Sequence, residues 1–154
     1  MAFIEWSQAC ETGIPEIDDQ HRHLVEIVNT FEGAVRKNKA TRITQEILRD
    51  LIGYTQEHFA FEEKFMAEAG YAGLKSHQAL HRQLMQKVER FQYEFGTEGR
   101  RISRNLQEFL RYWLMSHIQT EDVAFARETK GAGIGAGARP GADSGDSGCP
   151  APGN

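Results

Sequence analysis

HFAFEEKFMAEAGYAGLKSHQALH, residues 58–81, places two pairs of chemically distinctive residues on either side of a glycine-marked break. His58 and Glu62 stand four apart, as do His77 and His81, and residues four apart lie about one turn apart on the same helix face. Gly70 and Gly73 interrupt the pattern between them. Read as helix, turn, helix, the stretch sets the last turns of one helix beside the first turns of the next, with all four side chains directed to one interior. Two antiparallel helices of this kind are half of a bundle with a polar layer inside it.

The rest of the chain supplies the other half. Upstream, Thr41 reads as the cap of a helix whose stripe runs Ile47, Leu51, Tyr54, His58, Glu62 and Phe65. Before it, Ile14-Pro15-Glu16-Ile17-Asp18-Asp19 reads as a turn with an Asp available as N-cap, feeding a stripe of His21, Leu24, Val25, Val28, Phe31 and Val35 that ends near Lys37. Downstream, a third helix starts around Gly73 with Leu74, His77, His81, Leu84, Val88, Phe91 and Phe95, and breaks between Gly96 and Gly99. Ile102, Leu106, Phe109, Trp113, His117 and Phe125 mark a fourth. No strand-like alternation competes with these stripes. The expected fold is all-α: an antiparallel up-down-up-down four-helix bundle over residues 1–130, preceded by a non-helical N-terminal arm.

Alternate helices run in opposite directions, so His21, His58 with Glu62, His77 with His81, and His117 all fall at one end of the bundle. Helix four adds a carboxylate, and here spacing leaves two candidates. Glu121 shares the face of His117 on a regular helix, whereas Asp122 is rotated away by about 140°. The sixth histidine, His23, is two residues from His21, points to nearly the opposite side, and is read as a surface residue.

Composition excludes several classes. With 154 residues, a net charge of −4 and 40% hydrophobic content, the chain has the makings of one soluble globular domain and no electrostatic reason to bind nucleic acid. The basic stretches Arg36 to Lys39 and Gly99 to Arg104 are short and fall at expected inter-helix connections. Neither a signal peptide nor the ~20 apolar residues of a membrane span is present, so a cytoplasmic location without membrane attachment is expected. Cys10 and Cys149 are far apart and suggest neither a disulfide nor a thiolate metal site. From Gly131 onward the chain turns to Gly, Ala, Ser, Asp and Pro, with three of its four prolines. Such a segment, residues 131–154, has too little apolar surface to offset the entropy of ordering it and reads as a disordered tail.

Five histidines and two carboxylates exceed what one ion accepts but suit two near-octahedral ions sharing the carboxylates. Imidazole and carboxylate without thiolate favour iron, manganese or zinc. No histidine here has a Glu three residues before it, unlike the carboxylate-rich Glu-x-x-His sites of ferritin-like proteins. A histidine-rich shell favours reversible two-electron exchange with dioxygen over cleavage of its bond. His77-Gln78-Ala79-Leu80-His81 has zincin spacing but lacks the Glu that would serve as general base.

Together these residues resemble the hemerythrin family, in particular its single-domain bacterial members, the bacteriohemerythrins. The resemblance covers about Ile4 to Arg127. It rests on Trp6, Gly13-Ile14, Ile17-Asp18-Asp19-Gln20-His21, His58-Phe59-x-x-Glu62, His77-x-x-x-His81 and Trp113-Leu114-x-x-His117-Ile118-x-x-x-Asp122. It implies two iron ions with an oxo or hydroxo bridge: His77, His81 and His117 on one, His21 and His58 on the other, and Glu62 and Asp122 bridging both. It thereby chooses Asp122 over Glu121, which requires the fourth helix to depart from ideal geometry between Gln119 and Asp122, for example through a π-bulge. The ion with one ligand fewer is where the family takes up dioxygen. Leu24, Phe59, Trp113, Leu114 and Ile118 match positions lining that pocket. A tyrosine common in animal members corresponds here to Phe125.

The function so implied is reversible dioxygen binding for storage, delivery or buffering, and not enzymatic catalysis. Two alternatives are a sensor of O2, NO or redox state acting through a protein partner that the sequence leaves unnamed, and a di-iron redox enzyme such as a peroxidase, nitric-oxide reductase or ferroxidase.

Overall fold

The computed structural model describes residues 2–131, with backbone only at 100–102 and 131. Four helical columns are present: α1 (Pro15–Arg36), α2 (Thr41–Glu68), α3 (Leu74–Glu98), and a fourth made of α4 (Arg100–Ser116), a π-helical turn (His117–Asp122) and α5 (Val123–Gly131). Each column packs on the next, and α1 also packs on α4, which closes an antiparallel bundle. Among the described residues there is no strand, and no helix long and apolar enough to cross a membrane. The expected tail lies outside the described residues, except that Gly131 still belongs to α5.

The start of α1 differs from the expectation. Ile14 is the N-cap and Pro15 opens the helix, where its missing N–H costs nothing. Asp18 lies one turn in and reaches back: its Oδ1 accepts from Thr12 N at 2.8 Å and Thr12 Oγ1 at 2.7 Å, and its Oδ2 from Gly13 N at 3.0 Å. This ties the arm to the helix, and Gly13 at φ +78° allows the sharp approach. The arm contains one short 3-10 turn, Gln8–Cys10, and is pinned further by Asn29, whose side chain exchanges two hydrogen bonds with the backbone of Ile4. At α2, Thr41 is the first helical residue and not the cap, which is Ala40. Helix α3 runs through Gly96 and ends at Gly99, whose φ of +59° makes it the turn to α4.

Burial follows the stripes. Val28, Phe31, Leu48, Leu51, Val88, Phe95, Leu106 and Leu110 form the main core, with Phe31 edge-on to Phe95. A smaller cluster of Ile14, Ile17, Met66, Phe125 and Ala126 closes the other end. Between them, each helix interrupts its apolar stripe for about one turn. The polar layer therefore lies inside the bundle, sealed from both ends by dry side chains.

Candidate metal centre

His21 on α1, His58 and Glu62 on α2, His77 and His81 on α3, and His117 and Asp122 on the π turn converge in that layer, all buried. They form two groups able to hold a metal ion: Glu62, His77, His81, His117 and Asp122, and His21, His58, Glu62 and Asp122. In each group the ligand atoms lie within 4.8 Å of one another. His23 is outside, its side chain 51% exposed, and the predicted split of helix faces holds.

The two shared carboxylates are each divided between the groups. Glu62 turns Oε1 to His77 Nε2 at 2.6 Å and His81 Nε2 at 3.3 Å, and Oε2 to His58 Nε2 at 3.2 Å and His21 Nε2 at 3.5 Å. Asp122 turns Oδ1 to His77 and His117 Nε2, both at 3.1 Å, and Oδ2 to His21 Nε2 at 3.0 Å. Asp122 can do this because the chain between His117 and Asp122 is wound as a π turn, in which Val123 N–H reaches the Ile118 carbonyl five residues back. The distortion required of residues 119–122 is present. Glu121 stays partly exposed, outside both groups.

The donor chemistry fits cations. Gln20 Oε1 can only accept, so at 2.7 Å it fixes the proton of His58 on Nδ1; Glu63 Oε1 does the same for His81 Nδ1 at 2.8 Å. The Nε2 atoms of His58 and His81 are then bare lone pairs, and they face His21 Nε2 at 3.1 Å and His117 Nε2 at 3.2 Å. Glu62 Oε2 and both Asp122 oxygens are buried without a hydrogen-bond partner. Lone pairs and anionic oxygens crowded this closely repel unless protons or metal ions sit among them. Electrostatics shows the same demand. Burial pushes the imidazoles of His21 and His77 down, but the carboxylates of Asp122 and Glu62 close beside them more than reverse this, raising both to about 9. Burial pushes Glu62 and Asp122 up, and the surrounding histidines bring both below the ordinary carboxylate range. At His58 burial wins, and the imidazole is lowered.

Aromatic side chains touch the layer. Leu24, Phe59, Trp113, Leu114 and Ile118 are buried members of the main core. Phe59 stacks flat on His81, with ring centroids 3.6 Å apart, and meets Trp113 edge-on. Trp6 of the arm lies 6.5 Å from His21. Below the layer, Phe125 packs edge-on against Phe65 and Tyr71. The sequence reading did not single out Gln20 and Glu63. Each stands beside a candidate ligand, and the habit of metal-bound histidines of donating their second N–H to a nearby acceptor was the available signal.

Residues 12–127 match the profile of the Hemerythrin HHE cation binding domain. The chain belongs to the hemerythrin family. Its relatives include the bacteriohemerythrins of Stenotrophomonas maltophilia, 34% identical over 84% of this chain and 84% of that one, and of Pseudomonas paraeruginosa, 33% identical over 81% and 80%. A third, from Methylococcus capsulatus, is 30% identical over 81% of this chain and 95% of its own. A crystal structure of wild-type hemerythrin superposes with a TM-score of 0.75 at 28% identity, over 82% of this chain and 97% of that one. This hemerythrin thus shares the bundle with that structure, and its own bundle holds a buried His, Glu and Asp cluster suited to metal.

Proposed function

We propose that this hemerythrin binds dioxygen reversibly at a non-haem di-iron centre. The observation that carries the reading is the division of Glu62 and Asp122, each sending one oxygen toward a three-histidine group and the other toward a two-histidine group. His77, His81 and His117 would hold one iron, His21 and His58 the other, with the two carboxylates bridging. When bound, the pair supplies a two-electron exchange with dioxygen. The two-histidine group offers one protein ligand fewer, and an iron held there would have room for dioxygen.

The protein's own part is to orient and to keep dry. Gln20 and Glu63 lock His58 and His81 with Nε2 inward, and Phe59 holds the His81 plane. Leu24, Phe59, Trp113, Leu114 and Ile118 exclude water and protons whose entry would drive one-way oxidation.

Anaerobic reconstitution with ferrous iron, followed by repeated cycles of air and inert gas in an optical spectrometer, tests the reading. Two irons per chain and an absorption band that returns on every cycle are expected. A single irreversible conversion to the ferric form on first exposure would overturn it.

A further inference from the structure

His58 and His81 occupy matching places in the two donor groups, and each is held from behind by a neighbour of a candidate ligand: Gln20 before His21, Glu63 after Glu62. The two acceptors differ in charge. Gln20 offers a neutral amide oxygen at 2.7 Å, whereas Glu63 offers a carboxylate oxygen at 2.8 Å. The other oxygen of Glu63 accepts from Gln78 Nε2 at 3.2 Å, on the helix that carries His77 and His81, so the carboxylate is held from two sides. The stacked Phe59 keeps the His81 ring from swinging away.

Both acceptors fix the tautomer that turns Nε2 inward. They differ electronically, because a hydrogen bond to a carboxylate is roughly twice as strong as one to a neutral oxygen. It draws the Nδ1 proton outward and leaves more electron density on Nε2. We propose that Glu63 is a positioning residue that makes the two metal positions electronically unequal. It stabilises the higher oxidation state in the three-histidine group, while neutral Gln20 leaves the two-histidine group easier to reduce. This rests on the di-iron reading. Glu63 touches neither the metals nor dioxygen, and acts through His81 alone. In the couple it adjusts, one electron passes between iron and an electrode, and the shared proton stays between His81 Nδ1 and Glu63 Oε1.

The test is spectroelectrochemical titration of the iron-loaded protein and two variants. Glu63→Gln keeps the shape and an acceptor but removes the charge. At a fixed potential its ferrous-to-ferric ratio should rise about tenfold, about 59 mV for one electron. Iron release to a chelator should quicken by about tenfold or more. Gln20→Glu should move the potential the opposite way. A fully iron-loaded Glu63→Gln protein with the wild-type potential overturns the proposal and leaves the di-iron reading standing. Shifts of the same sign in both variants also overturn it, since packing and not charge would then be the cause. If Glu63→Gln does not fold, Gln20→Glu decides: a lowered potential supports the proposal, and an unchanged or raised one overturns it. Wild-type protein that takes up no iron pair overturns the di-iron reading and this proposal with it.

Discussion

His117 Nε2 lies 3.1 Å from Asp122 Oδ1 although five residues separate them, a spacing that on a regular helix would turn the two side chains about 140° apart. The π turn from His117 to Asp122 removes that offset and delivers Asp122, with no exposure to solvent, between both histidine groups. Glu121, the residue that regular geometry would select, is left at the rim. Asp122→Ala should therefore abolish the paired-iron spectrum, and Glu121→Ala should leave it within error of wild type. Optical spectra and iron analysis of the two purified variants decide it; a normal spectrum from Asp122→Ala would refute the assignment.

The histidines divide just as sharply. His77→Ala should lose most of its iron and unfold at a lower temperature, because ion binding to the native state adds directly to its stability. His23→Ala should do neither, since His23 is half exposed and touches Tyr54 edge-on and Glu26 of its own helix, away from both groups. Iron loss in His23→Ala as complete as in His77→Ala would mean that the face of α1 has been misread.

Leu114 is buried in the main core, three residues before His117. Leu114→Ala opens space there, which should admit water and shorten the lifetime of the oxygenated protein several-fold while the iron count stays at two. The truncation should also cost about 2–5 kcal/mol of stability, as buried leucines do. Autoxidation followed optically, with iron determined in the same sample, separates the effects; an unchanged autoxidation rate would reduce Leu114 to packing alone.

Proton uptake gives a fourth expectation, for protein stripped of metal. His21 and His77 are raised from 6.5 to about 9, so their protonation stabilises the fold fully below pH 6.5, and that contribution disappears as pH rises toward 9. Glu62 and Asp122 are held low, so their contribution is present above the ordinary carboxylate range and is lost as acid titrates them. Denaturant unfolding of the metal-free protein should show a loss on the order of 1 kcal/mol or more between pH 6.5 and 9. Metal affinity should rise across the same window, because binding displaces those protons. A metal-free protein equally stable at pH 6.5 and 9 would contradict the protonated state of His21 and His77.

Much of this was legible in the chain. Four apolar stripes at helical period, the last two breaks between them marked by glycines, determine the number of helices, and the placement of His21, His58, Glu62, His77, His81 and His117 within them sets one polar layer. Periodicity reports which face of a regular helix a residue occupies, so it served wherever the helix was regular and failed where it was not. Spacing alone favoured Glu121, and only the family resemblance pointed to Asp122; the π turn supplies the physical reason. An Asp of the Asp18-Asp19 pair was expected as the cap, yet the Asp18 carboxylate holds Thr12 and Gly13 from within the first turn, a choice made by the path of the arm. The division of the Glu62 and Asp122 oxygens, and the backing of His58 by Gln20 and His81 by Glu63, depend on how four helices approach and which rotamers then fit. Those distances belong to pairs of residues on different helices, and no pattern along a single helix contains them.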